Sequence, residues 1–151
     1  YSYIRGNVMQ EELKTRGEVA VESWKKGLNC SQAVLLTYSD YFDIPMETLF
    51  KLSEGFGSGV GGLRRTCGAL LSAVIIAGLV NSDGEFDNPK TKKSTYGIVS
   101  NIIKSFENKY GTSICSDLKG ITSDHVILPC NMCIKEACLL IESELLPKIK
   151  K

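Results

Sequence analysis

The stretch Gly55-Phe56-Gly57-Ser58-Gly59-Val60-Gly61-Gly62-Leu63-Arg64-Arg65-Thr66-Cys67-Gly68-Ala69 runs directly into the apolar segment Ala69 to Val80. Five of the eight residues from Gly55 to Gly62 are glycine. Ordering them costs more backbone entropy than ordering any other residue type, so a fixed loop here needs a reason such as close backbone approach or positive φ. The apolar run that follows is about 12 residues, too short to span a bilayer and suited to a buried core helix. Cys67 falls where that helix begins, just after Arg64 and Arg65, a setting that favours a thiolate.

Reading outward, helical periodicity dominates and no alternating run is convincing as a strand. Leu13, Gly17, Ala20, Trp24 and Leu28 recur at steps of three and four and predict a first helix over Met9 to Lys26, stopped by Gly27. Asn29 and Gln32 have capping-box spacing for a second helix through Phe42. Pro45 suits the first turn of a short third helix through Leu52. The core helix covers Thr66 to Val80, and a long amphipathic helix presents Tyr96, Val99, Ile103, Phe106 and Tyr110 before Gly111 ends it. Thr112 and Ser113 are cap candidates for a short helix carrying Cys115 and ending near Gly120. The last helix runs from Asn131 to Lys148 with Ile134, Ala137, Ile141 and Leu145 on one face. The expected architecture is all-α: one domain over residues 1–151, with six or seven helices bundled around the central apolar one.

The chain has 151 residues and a formal net charge of +1. That length buries a core without disulfide staples, and the charge balance argues against nucleic acid as a partner. Neither a membrane span nor an apolar leader is visible in Tyr1-Ser2-Tyr3-Ile4-Arg5, which places the expected location in the cytoplasm. Six cysteines in that setting read as thiols, metal ligands or redox partners rather than a secreted disulfide framework.

Cys30, Cys67, Cys115 and Cys130 all lie at or within one turn of an expected helix N-terminus. Unsatisfied N–H groups there contribute about 0.3–1 kcal/mol to an adjacent anion, less than one pKa unit. Arg64 and Arg65 add to this at Cys67, so the lowest thiol pKa is expected there. For Cys138, on the apolar side of the last helix, a small buried hydrophobe is the simpler reading. Cys130-Asn131-Met132-Cys133 is a CxxC, but it has neither a βαβ context nor a second CxxC, and Ile134 stands where covalent haem attachment needs histidine. His125, the only histidine, reads as a surface loop residue. Gly57, Gly59 and Gly62 satisfy GxGxxG literally, yet no strand precedes them, and no Gly-Lys-Ser/Thr follows to make a P-loop. The loop residues Gly57, Gly59, Gly61 and Gly62, with Arg64 and Arg65, remain the candidate binding side for an anion or cofactor.

These segments together resemble a known family. Asn29-Cys30-Ser31-Gln32-Ala33-Val34, the glycine loop, Thr66-Cys67-Gly68-Ala69, Cys115 with Asp117-Leu118-Lys119-Gly120, and the C-terminal Cys130 look like the C_GCAxxG_C_C family of proteins assigned redox activity, over roughly Trp24 to Leu146. The resemblance maps the family's four named cysteines onto Cys30, Cys67, Cys115 and Cys130. It takes Cys130 rather than Cys133 because Cys130 precedes an amphipathic helix start. Cys133 and Cys138 are extra thiols that the same site could use. Ser72 stands where the family motif has glycine.

Three functions compete. The first is thiol–disulfide or electron-transfer chemistry, with Cys67 as lead thiolate, one of Cys30, Cys115 or Cys130 resolving it, and a redox protein or small molecule as substrate. The second is a zinc or iron–sulfur site ligated by Cys30, Cys67, Cys115 and Cys130. The third is a non-catalytic helical binding domain whose loop serves packing or a homodimer contact.

Overall fold

The computed structural model describes residues 13–149, and among them seven α-helices and no strand are found. The helices are α1 (Arg16–Lys25), α2 (Cys30–Thr37), α3 (Met46–Glu54), α4 (Gly68–Asn81), α5 (Lys92–Tyr110), α6 (Cys115–Lys119) and α7 (Cys130–Leu140). The all-α expectation holds. No helix among the described residues is long and apolar enough to cross a membrane.

The first helix begins later than its periodicity suggests. Thr15 accepts the Glu18 N–H while the Glu18 carboxylate accepts the Thr15 N–H, a capping box that fixes the helix start. Leu13 therefore lies outside α1 and is exposed, and Met9 to Glu12 fall outside the described residues. The capping box of Asn29 and Gln32 forms as the sequence predicts and opens α2. The second helix ends at Thr37, short of the predicted Phe42, and a 3-10 turn over Ser39–Tyr41 follows.

Two helices share the centre. α4 is apolar all round and packs on α2, α5 and α7; α2 in turn touches α1, α3, α4 and α7. Ala33, Val34 and Leu35 from α2 meet Leu70, Ala73, Ile76 and Ala77 from α4 in one buried cluster. Each large aliphatic side chain there contributes about 1.5–3 kcal/mol by leaving water. At the crossing, Ser72 explains the departure from the family glycine. Its hydroxyl donates to the Ser31 carbonyl at 2.6 Å and meets the Ser31 hydroxyl at 2.8 Å, so a fully buried polar pair is satisfied.

On α5, the fully buried positions are Ile102 and Phe106; Tyr96, expected on the apolar face, is exposed. The apolar stripe thus runs through Ile102 rather than Ile103. On α7 and the turn that continues it, all four predicted face residues, Ile134, Ala137, Ile141 and Leu145, are fully buried. The predicted single helix changes character at Ile141, however, continuing as a π turn (Ile141–Leu145) and a 3-10 turn (Leu146–Lys148). Tyr38 explains the change. Its hydroxyl reaches the Cys138 carbonyl at 3.2 Å and the Glu142 carboxylate at 2.9 Å, intruding on the helix ladder where the π turn starts.

Candidate functional site

The glycine loop is a knot of its own hydrogen bonds. Five consecutive residues take positive φ: Ser58 (51°), Gly59 (71°), Val60 (69°), Gly61 (60°) and Gly62 (78°), and Arg64 (63°) follows. Ser58, Val60 and Arg64 each bear a cost of about 1–2 kcal/mol for this conformation. Backbone bonds offset it, among them Gly61 N–H to Gly55 O (2.8 Å), Arg64 N–H to Ser58 O (3.0 Å) and Arg65 N–H to Gly59 O (2.8 Å). Gly59 has no alternative, since a Cβ there would lie 2.5 Å from the Arg65 nitrogen. Most of the loop's amides are therefore occupied within it.

After the loop, residues 64–67 pair antiparallel with residues 113–116. Cys67 N–H donates to Ser113 O (2.9 Å), Cys115 N–H to Arg65 O (2.6 Å) and Ser116 N–H to Arg64 O (3.1 Å), around an isolated Thr66–Ile114 bridge. This clasp brings Cys67 and Cys115, from positions far apart in sequence, to the wall of one cavity. Gly68, next along the chain, permits a further approach. A Cβ at that position would lie 2.6 Å from Phe56 O and 2.8 Å from Cys30 Sγ, so only glycine lets α2 deliver Cys30 here.

The result is one small cavity of about 70 Å³, and Cys30, Cys67, Cys115 and Cys130 all line it. Trp24, Asn29, Ser58, Arg64, Gly68 and Lys119 complete the wall. Of the binding-side candidates, Arg64 reaches the cavity, while Gly57, Gly59, Gly61, Gly62 and Arg65 do not line it. Gly57 instead packs against the Asn29 side chain, where a Cβ would be 2.6 Å from its amide nitrogen. Cys67 and Cys115 are buried, Cys30 and Cys130 half-buried, and no disulfide joins any of the six cysteines.

Cys133 stands one turn behind Cys130 and is fully buried. The Lys119 ammonium donates to its sulfur at 3.5 Å, and the Cys133 thiol in turn meets the Leu128 carbonyl at 3.6 Å. Interaction with Cys67 and then with Lys119 holds the Cys133 thiol below its ordinary value against the effect of burial. Interaction with Cys133, and then burial, pushes the Cys67 thiol well above its ordinary value. This corrects the expectation that Cys67 has the lowest pKa. The Arg64 guanidinium turns to Cys115 Sγ at 3.8 Å, and Arg65 is exposed, so neither arginine serves Cys67 as the sequence suggests. Burial, and then the neighbouring Cys67 sulfur, raise Cys30 as well. Lys119 is opposed by burial, yet Cys133, Cys67 and Cys130 outweigh that and keep the ammonium above its ordinary pKa.

Lys119 and its contact with Cys133 are the parts that sequence reasoning missed. Lys119 lies four residues after Cys115 on α6, a spacing that puts both on one helix face. Cys138 is buried, as expected, away from this cavity, and burial pushes its thiol up to about 12. His125 is exposed. Among the described residues, no group of three or more His, Cys, Asp and Glu side chains is placed to hold a metal ion.

Comparison with known proteins gives no match among curated proteins and none among solved structures. The family model described as "Putative redox-active protein (C_GCAxxG_C_C)" matches residues 28–143, a span that holds all six cysteines, Lys119 and the glycine loop, and the chain belongs to that family.

Proposed function

We propose that the chain is a thiol redox protein whose working pair is Cys67 and Cys133, with Lys119 positioning and charge-stabilising the pair. One observation carries this reading: the buried Cys133 sulfur meets the Lys119 ammonium at 3.5 Å, and Lys119 and Cys67 line one cavity shared with three more cysteines. Oxidation forms one S–S bond between Cys67 and Cys133, removing two electrons and two thiol protons. Cys30 and Cys130, half-buried at the same cavity, are placed to pass the disulfide outward by thiol exchange to an external dithiol donor. The zinc or iron–sulfur alternative draws less support. The donor geometry for a metal is not found among the described residues, and the Lys119 ammonium lines the same cavity as the four candidate ligands, where it would repel a cation.

The test is an equilibrium redox titration in glutathione buffers with thiol counting. The expected result is a single two-electron transition that consumes two thiols and is lost in both Cys67→Ser and Cys133→Ser. A wild-type thiol count that stays constant from fully reducing to fully oxidising buffer contradicts the reading.

A further inference from the structure

The oxidant that such a pair accepts is constrained by the cavity in front of it. Cys67 is 2 % exposed and Cys133 is not exposed at all. The space that Cys67 faces is about 70 Å³, room for a handful of waters and far below the several hundred Å³ of an ordinary small-molecule pocket. A disulfide substrate must align its S–S bond with the attacking sulfur while carrying two carbon chains, whose Cα atoms in a cystine stand about 4.4–6.8 Å apart. The reacting end of a hydroperoxide is two oxygen atoms. The cavity wall also includes the Lys119 ammonium and the Arg64 guanidinium and no carboxylate. Positive charge therefore stands where cleavage of an O–O bond generates hydroxide.

We propose that the site takes small hydroperoxides, hydrogen peroxide above all, as its oxidant, with Cys67 as the sulfur that attacks the peroxide and Cys133 as the sulfur that resolves the product. The inference rests on the Cys67–Cys133 reading above. In the first step Cys67 Sγ bonds to one peroxide oxygen and the O–O bond breaks. The Cys67 proton passes to the departing hydroxide, which leaves as water beside the Lys119 ammonium. In the second, Cys133 Sγ bonds to Cys67 Sγ, the S–O bond of the Cys67 sulfenic acid breaks, and that hydroxide leaves as water with the Cys133 proton. Peroxide is reduced by two electrons to two waters, the two sulfurs are oxidised to a disulfide, and Lys119 keeps its proton throughout.

The experiment mixes the fully reduced wild-type chain with hydrogen peroxide or with oxidised glutathione, quenches by alkylation, and follows the Cys67–Cys133 disulfide by mass spectrometry. Each rate is divided by that of free cysteine with the same oxidant. The expected normalised rate is at least about tenfold higher for peroxide, a barrier difference of about 1.4 kcal/mol. A dimedone adduct on Cys67 should also accumulate in Cys133→Ser. Equal or faster normalised oxidation by glutathione, giving the same disulfide, overturns the peroxide inference and leaves the redox pair standing. Absence of that disulfide with either oxidant overturns both.

Discussion

Replacing Lys119 by methionine removes the ammonium from the cysteine cluster while keeping most of the aliphatic stem. Its Nζ lies 3.5 Å from Cys133 Sγ, where a full charge pair at an effective dielectric of about 20 interacts by about 5 kcal/mol. Water reaches part of the lysine and fills in when the charge is removed, so the realised loss at Cys133 is smaller than this. The direction is upward, because the thiolate loses a cation. Thiolate ultraviolet absorbance, followed against pH in wild type and Lys119→Met, reads the shift, and subtraction of the Cys133→Ser trace assigns it. Lys119→Arg, which keeps a charge near the sulfur, should recover part of it. An unchanged midpoint in Lys119→Met refutes the assignment of Lys119 to Cys133.

Other expectations concern the scaffold. Ser72→Ala leaves the Ser31 hydroxyl without its buried partner and should cost about 1–3 kcal/mol in denaturant unfolding. Gly68→Ala drives a methyl against Phe56 O and Cys30 Sγ, with a stability loss of about 1–3 kcal/mol and an altered Cys30 alkylation rate. Gly61→Ala meets no atom within 4 Å and incurs only the cost of its positive φ, about 1–2 kcal/mol, with Cys30 alkylation unaffected. Asp40 is held down at about 2 by the two hydrogen bonds from the Arg16 guanidinium. Its contribution is complete above the ordinary carboxylate pKa of about 3.8 and disappears as pH falls toward about 2. Thermal melts of Asp40→Asn should therefore lie below wild type at neutral pH and converge with it at the acid end.

The helices were legible because each had a local cause. The Asn29–Gln32 capping box, Gly111 with φ 85° and Gly120 with φ 68° all act within a few residues. The apolar face of α7 was equally plain. What escaped were effects between segments. The Tyr38 hydroxyl that disturbs the helix at Cys138 lies 100 residues away in sequence. The choice of Ile102 over Ile103 depends on how α5 lies against α4, since both satisfy the helical spacing. At the site, the gathering of Cys30, Cys67, Cys115 and Cys130 around one cavity follows the convergence of helix starts that the sequence suggested. The ranking of their pKa values did not follow, because proximity of Arg64 and Arg65 along the chain says nothing about side-chain direction. A tight left-handed loop turns Arg64 to Cys115, and the decisive cation comes from α6.

Peptide mapping of the chain after equilibration in an oxidising glutathione buffer tests the central claim most directly. Differential alkylation before and after reduction assigns every sulfur. The account predicts one dominant cross-link, between the peptides carrying Cys67 and Cys133, with Cys138 remaining a free thiol throughout. A dominant cross-link that joins Cys67 to Cys30 or Cys115, with Cys133 still free, contradicts it.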